Sequence, residues 1–215
     1  MLKNALLLLT CLMTLGVAAQ KASLQNLSFG AEIGPNLSGA FLAKSPSTKV
    51  KGSPDIGIEV GVFAELPLST DFSFRPRLQF SNEGYTAKLY GDKYPIRMSF
   101  VKLPLDVIYH SHLGGNKWFF GAGPYVAMGL GGHYNGQGLD KQTIHFGSDP
   151  DNDQAKRGDV GIDLLAGYKL MDNIVLSADL NAGFVNILNE AYWGAGCSSR
   201  TINFGITGAY VFGGK

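Results

Sequence analysis

A strict two-residue alternation leaves a chain few ways to fold, and residues 100–110, "FVKLPLDVIYH", have one. Val101, Leu103, Leu105, Val107 and Tyr109 fall on one face, while Phe100, Lys102, Pro104, Asp106, Ile108 and His110 fall on the other. A period of two belongs to a β-strand, here with one oily face and one partly charged face. Seven further segments repeat the pattern: 28–38, 55–66, 72–81, 118–131, 159–170, 174–185 and 201–212. At about ten to fourteen residues each, they are longer than ordinary soluble strands and suffice for tilted strands crossing a bilayer. Helical periodicity is nearly absent, and beyond the first twenty residues no apolar run is long enough for a membrane helix.

Connection lengths add a second, independent constraint. "PLSTD", "HSHLGGN" and "MDN" are short, whereas 39–54, 82–97, 132–158 and 186–200 are long, and the two kinds alternate along the chain. In an up-and-down sheet all long connections then leave one end, and both chain termini lie at the other. The expected fold is all-β: an eight-stranded antiparallel up-and-down transmembrane β-barrel with periplasmic turns and termini and extracellular long loops.

The face opposite the oily one identifies the inside. It is rich in glycine (Gly30, Gly34, Gly57, Gly61, Gly121 and Gly123 among others) and holds charges of both signs. These are Glu32, Glu59, Glu65, Arg75, Arg77, Lys102, Asp106, Asp163, Lys169 and Asp179. Small residues with compensating charges suit the tightly curved lumen of a narrow barrel, where they form either a structural network or a gate. Aromatics on the oily face collect at the short-turn end: Phe72, Phe74, Tyr109, Trp118, Phe120, Tyr168, Tyr210 and Phe212. Such a ring is expected of an interfacial girdle, so the oil faces out. Outer-membrane lipid and lipopolysaccharide are then the expected surroundings.

Residues 1–19 read as a signal peptide, with Lys3, an apolar core and a small-residue site ending at Ala19. Cys11 lies too early in the apolar run to be a lipoprotein anchor. Residues 20–215 are expected to form one barrel domain with 17 basic and 17 acidic residues, since the leader contains one of the 18 basic residues and none of the acidic ones. That balance provides no field for nucleic acid. Cys197 would remain alone, without an intramolecular disulfide.

Motifs bearing chemistry are sparse, and neither a cofactor nor a metal site is expected. Lys102 and Asp106 read as a pair on one face. Asp149, Asp151 and Asp153 alternate as calcium ligands do, but Gln154 and Val160 stand where an EF-hand needs glycine and glutamate. "HSH" (110–112) resembles a metal pair or a hydrolase fragment, yet it falls in a short turn, away from the outer leaflet where lipid A enzymes act. His133 and His145 are isolated. Tyr192 and Trp193, in the last long loop, are either interfacial anchors or contacts for a partner or glycan.

With these residues in hand, the chain resembles the PorT-type outer-membrane β-barrel family of Bacteroidota. "SFVKLPLDVIYH" is similar to that family's fourth strand around Pro104, "FGAGPYVAMGL" to its fifth with Gly121, Gly123 and Pro124, and "GAEIGPNLSG" to its first with Gly30, Gly34 and Asn36. "DVGIDLLAGYKL" matches the sixth in style. One departure is at the end, where Gly213, Gly214 and Lys215 follow Phe212 in place of a terminal aromatic. The resemblance implies an eight-stranded barrel in a Gram-negative outer membrane, with partners in a larger outer-membrane or secretion complex. The founding member's role in the type IX pathway makes secretion accessory one expectation. A non-enzymatic structural or surface-interaction role is the first expectation, a narrow gated channel the next, and a lipid A-modifying enzyme the remotest.

Overall fold

The computed structural model describes residues 27–43, 51–89, 92–115, 117–135, 141–147, 149, 152–189 and 198–212. The expected signal peptide, Asp151, Tyr192, Trp193 and Cys197 lie outside the described residues. Nine strands follow in order: β1 (Ser28–Ala43), β2 (Lys51–Pro67), β3 (Phe72–Leu89), β4 (Asp92–His110), β5 (Trp118–Tyr134), β6 (Gln142–Ile144), β7 (Gly158–Lys169), β8 (Ile174–Gly183) and β9 (Ser198–Phe212). Every ladder is antiparallel, and eight of the strands close into a ring, β1-β2-β3-β4-β5-β7-β8-β9 and back to β1. The short β6 adds to the end of β5 through Gly132, His133 and Tyr134.

The alternation becomes an inside-out distribution of polarity. On β2, Ile56 is 67% exposed and Val62 54%, while Glu59 between them is only 3% exposed. On β4, Lys102, Asp106 and Ile108 are buried, and Leu103, Val107 and Tyr109 are exposed. Among the described residues, 22 polar or charged side chains are buried against 15 apolar ones, the reverse of a soluble core. An apolar belt of this extent needs hydrocarbon around it. Ten residues of a strand tilted by ~40° rise about 25 Å, the height of the lipid-facing band in outer-membrane barrels.

Glycine shapes the lumen, with consequences opposite to those its abundance suggests. A side chain at Gly30 would strike the Phe63 ring, one at Gly167 the Phe119 ring, and one at Gly129 the Phe146 ring. These glycines leave room for neighbouring aromatics, so they do not leave the lumen empty. At Gly123 the constraint is backbone: a Cβ would collide with the Leu105 carbonyl of β4, so only glycine permits that approach.

The sequence reading is corrected at the long-loop end. Residues 82–97, expected as a long loop, continue β3 and β4 as a paired hairpin from Asn82↔Ser99 to Leu89↔Asp92. Tyr85 and Met98 still face inward there. Outside the bilayer, outward positions are free to be polar, so the oily face ends while the strand goes on.

Val60→Arg, on the lipid side, is expected to lower barrel stability by ~2–4 kcal/mol. Glu59→Gln, one residue away on the lumen side, should cost far less. Urea unfolding of both variants in lipid vesicles checks this; the reverse ranking would turn the barrel inside out.

Candidate functional site in the barrel lumen

The lumen is layered along its axis. At the short-turn end Phe63, Ile108, Phe119, Leu165, Val175 and Ala209 form an apolar plug. At the long-loop end a second plug gathers Tyr85, Met98, Phe100, Tyr125 and Ala127 with Ile144, Phe146, Ala155 and Ile187 from the segments folded across the mouth. Phe100 and Phe146 meet edge to face, with centroids 6.2 Å apart. Between the plugs lies the charge layer.

Arg77 is the hub of that layer and is about 1% exposed. Its Nε donates to Asp106 at 3.0 Å, its Nη2 donates to Asp163, and Glu32 lies 3.7 Å from Nη1. The guanidinium thus ties β3 to β1, β4 and β7 at once, which a planar five-donor group does better than an ammonium. Gln79 donates to Glu32 at 2.8 Å, and Asn181 bridges Asp163 and Asp179. Asp159 accepts from Tyr125 at 3.1 Å and Thr201 at 2.7 Å.

Lys102 corrects a second expectation. It does not pair with Asp106, because four residues along a strand separate two side chains by ~13 Å. Lys102 instead pairs with Glu83 and donates to Asn181 across the lumen at 2.9 Å. Glu83 was not among the expected network residues, since it fell in the supposed loop; its parity with Ser81 was the available signal. Asp159, Asn181 and Asn203 were also missed, although they share the inward parity of their strands. Lys169 is half-buried at the short-turn end and joins none of the ion pairs among the described residues.

Against the lower plug, Arg75 lies over the Phe63 and Phe119 rings, 4.9 Å and 4.5 Å from their centroids, and donates through Nε to Glu65 at 3.0 Å. His110 Nε2 sits 3.0 Å from Glu65 Oε1 and 2.9 Å from Ser73 Oγ. A serine–histidine–acid relay needs hydroxyl and acid on different ring nitrogens. Here both meet Nε2, and Ser73 donates directly to Glu65 at 2.7 Å. The three groups form a clasp between β2, β3 and β4. Among the described residues no cluster of three metal-ligating side chains occurs.

The aromatics of the short-turn end meet across neighbouring strands in two cases and along β9 in a third. Phe72 stacks near Tyr109 at 5.4 Å, Trp118 near Tyr168 at 4.9 Å, and Tyr210 near Phe212 at 5.0 Å. Phe120 is exposed and paired opposite Tyr109, while Phe74 is half-buried opposite Val107. Phe29, opposite Phe212, stands at the same level and was missed, although its parity with Ile33 and Leu37 places it on the oily face.

A closed ring, oily outside and charged inside, defines an integral outer-membrane β-barrel. The model of the outer membrane protein beta-barrel domain family matches residues 18–189, and the chain belongs to that family. Among solved structures, OprG from Pseudomonas aeruginosa is similar at 12% identity and a TM-score of 0.50, covering 88% of this chain and 97% of that one. Ail of Yersinia pestis gives 10% identity and a TM-score of 0.48 over 87% of this chain and 99% of its own. No curated protein matches the sequence.

Arg77→Met would leave Asp106, Asp163 and Glu32 without their shared cation, and should destabilise the folded barrel by ~3–5 kcal/mol. Lys169→Met should stay within about 0.5 kcal/mol. Denaturant titration of both variants in detergent checks the contrast.

Proposed function

We propose that this protein is a non-enzymatic outer-membrane barrel whose lumen is structural and whose long loops face outward to engage a partner, either at the cell surface or within a larger membrane complex. The observation that supports this most is the stacking of two apolar plugs around a charge layer, since a conducting pore needs a continuous wet path and the plugs interrupt it at both ends. The Ser73–His110–Glu65 geometry gives no relay for lipid A chemistry. The outward belt would meet acyl chains and, in the outer leaflet, lipopolysaccharide.

Export through residues 1–19 and a PorT-type identity within Bacteroidota remain part of this reading. They rest on the leader pattern and on the resemblance of 30–39, 99–110 and 120–130. Deleting the gene and assaying secreted cargo tests the type IX branch of the proposal; unchanged cargo would leave the surface-interaction branch.

In planar bilayers the purified protein should show no discrete conductance steps. Stable ion currents would replace the structural lumen with a gated channel. A tag in the connection between β5 and β6 should be accessible on intact cells, and unboiled protein should migrate faster than boiled protein on a detergent gel. A tag reached only after permeabilisation would invert the orientation.

A further inference from the structure

Glu59 and Asp179 stand outside the charge pairing just described. Arg75 is held by Glu65, Lys102 by Glu83, and Arg77 by Asp106 and Asp163, so no buried base among the described residues forms an ion pair with either of them. Glu59 lies on β2 and Asp179 on β8, which the ring separates by β1 and β9. Each is nonetheless buried and anchored through one oxygen by an amide. Asn203 donates to Glu59 Oε2 at 3.2 Å, and Asn181 donates to Asp179 Oδ2 at 3.0 Å.

Their remaining oxygens, Glu59 Oε1 and Asp179 Oδ1, accept no hydrogen bond and are sealed from solvent. Both point to one spot, the place where a Cβ on Gly205 would be. The absence of a side chain at Gly205 lets the two carboxyl oxygens converge on that one spot. An ionised carboxylate only accepts. Two such oxygens face to face in a buried, low-dielectric interior repel strongly, and a proton or a cation between them relieves the repulsion.

A hard metal ion fits poorly. Calcium takes six to eight oxygen ligands and magnesium six, whereas here the second oxygen of each carboxyl already receives an amide N–H. A proton needs only the two oxygens that converge. We propose that Glu59 and Asp179 hold a single proton between them as an acid–carboxylate pair, a clasp that ties β2 to β8 across the centre of the barrel. The charged groups facing the clasp are Lys102 from β4, Arg77 from β3 and Asp163 from β7. Glu32 on β1 approaches Arg77, the Tyr125 ring on β5 lies beneath Lys102, and β9 offers the neutral Asn203.

The clasp makes the barrel sensitive to alkali. An unfolded carboxyl group is ionised at neutral pH, so folding takes up a proton here. The clasp's contribution to stability is then greatest at low pH, falls as pH rises above the ordinary carboxylate range, and levels off once the folded clasp has lost its proton. An amide in place of the acid supplies a permanent donor. Glu59→Gln would donate to Asp179 Oδ1, and Asp179→Asn would donate to Glu59 Oε1.

The test is urea unfolding of the full chain in lipid vesicles between about pH 5 and pH 9, without added metal. The wild-type folding constant should fall with pH more steeply than that of Glu59→Gln, by up to about tenfold per unit, the linkage of one proton. Asp179→Asn should remove the same slope, which keeps the test decisive if one variant fails to fold. Parallel curves for the wild type and the variants would overturn the clasp. So would a wild-type stabilisation by calcium or magnesium that both variants lose, because a cation would then occupy the spot.

Discussion

Inside hydrocarbon a backbone N–H or C=O has no water to turn to, and this requirement governs everything else in the molecule. An open sheet would present two unpaired edges to lipid. The chain avoids this by joining its first and last barrel strands, from Phe29↔Phe212 to Ala43↔Ser198, and by pairing β4 with β5 through thirteen registered positions. Closure also separates two environments. Even and odd residues of each strand then face lipid or lumen with no third option, so each must satisfy a different solvent.

Eight strands enclose little space, and the lumen has been filled residue by residue. Glycines on one strand accept the rings of the next, as Gly30 accepts Phe63 and Gly167 accepts Phe119. The two plugs that result cap the layer between them and leave its side chains buried. Within that layer the effective dielectric falls, so charge pairs strengthen and unpaired charges become costly. The buried, low-dielectric centre explains why Arg77 takes several carboxylates at once and why amides such as Asn181 occupy the gaps between acids.

The parity of most strands was legible because lipid and lumen demand different chemistry at successive positions. Ile56, Ile58, Val60 and Val62 against Glu59 could hardly be read another way. Legibility ended where lipid ends. Outside the bilayer a polar outward face on the β3–β4 hairpin carries no cost, so alternation fades although the ladder continues to Leu89↔Asp92. Glu83 was lost for that reason, and with it the partner of Lys102. Cross-lumen contacts were illegible for a different reason. Which groups meet inside, such as Lys102 with Asn181, depends on ring curvature and stagger, which no single strand encodes.

The charge layer also gives the barrel something that an apolar lumen could not. A barrel whose interior and exterior were both oily could slip one residue in register without moving any group into a worse solvent. Here a slip of one position on β3 would carry Arg75, Arg77 and Gln79 into the membrane and bring Leu78 and Phe80 into the layer of acids. Each misplaced charge would cost several kcal/mol at the bilayer centre. A buried ion network is weak evidence for stability on its own, because desolvation offsets much of its attraction. Its advantage appears on comparing registers: the native register alone gives Arg77 its carboxylates while presenting Leu78 to lipid. The lumen polarity that costs stability in the folded state thus widens the gap to every register shifted by an odd number of residues.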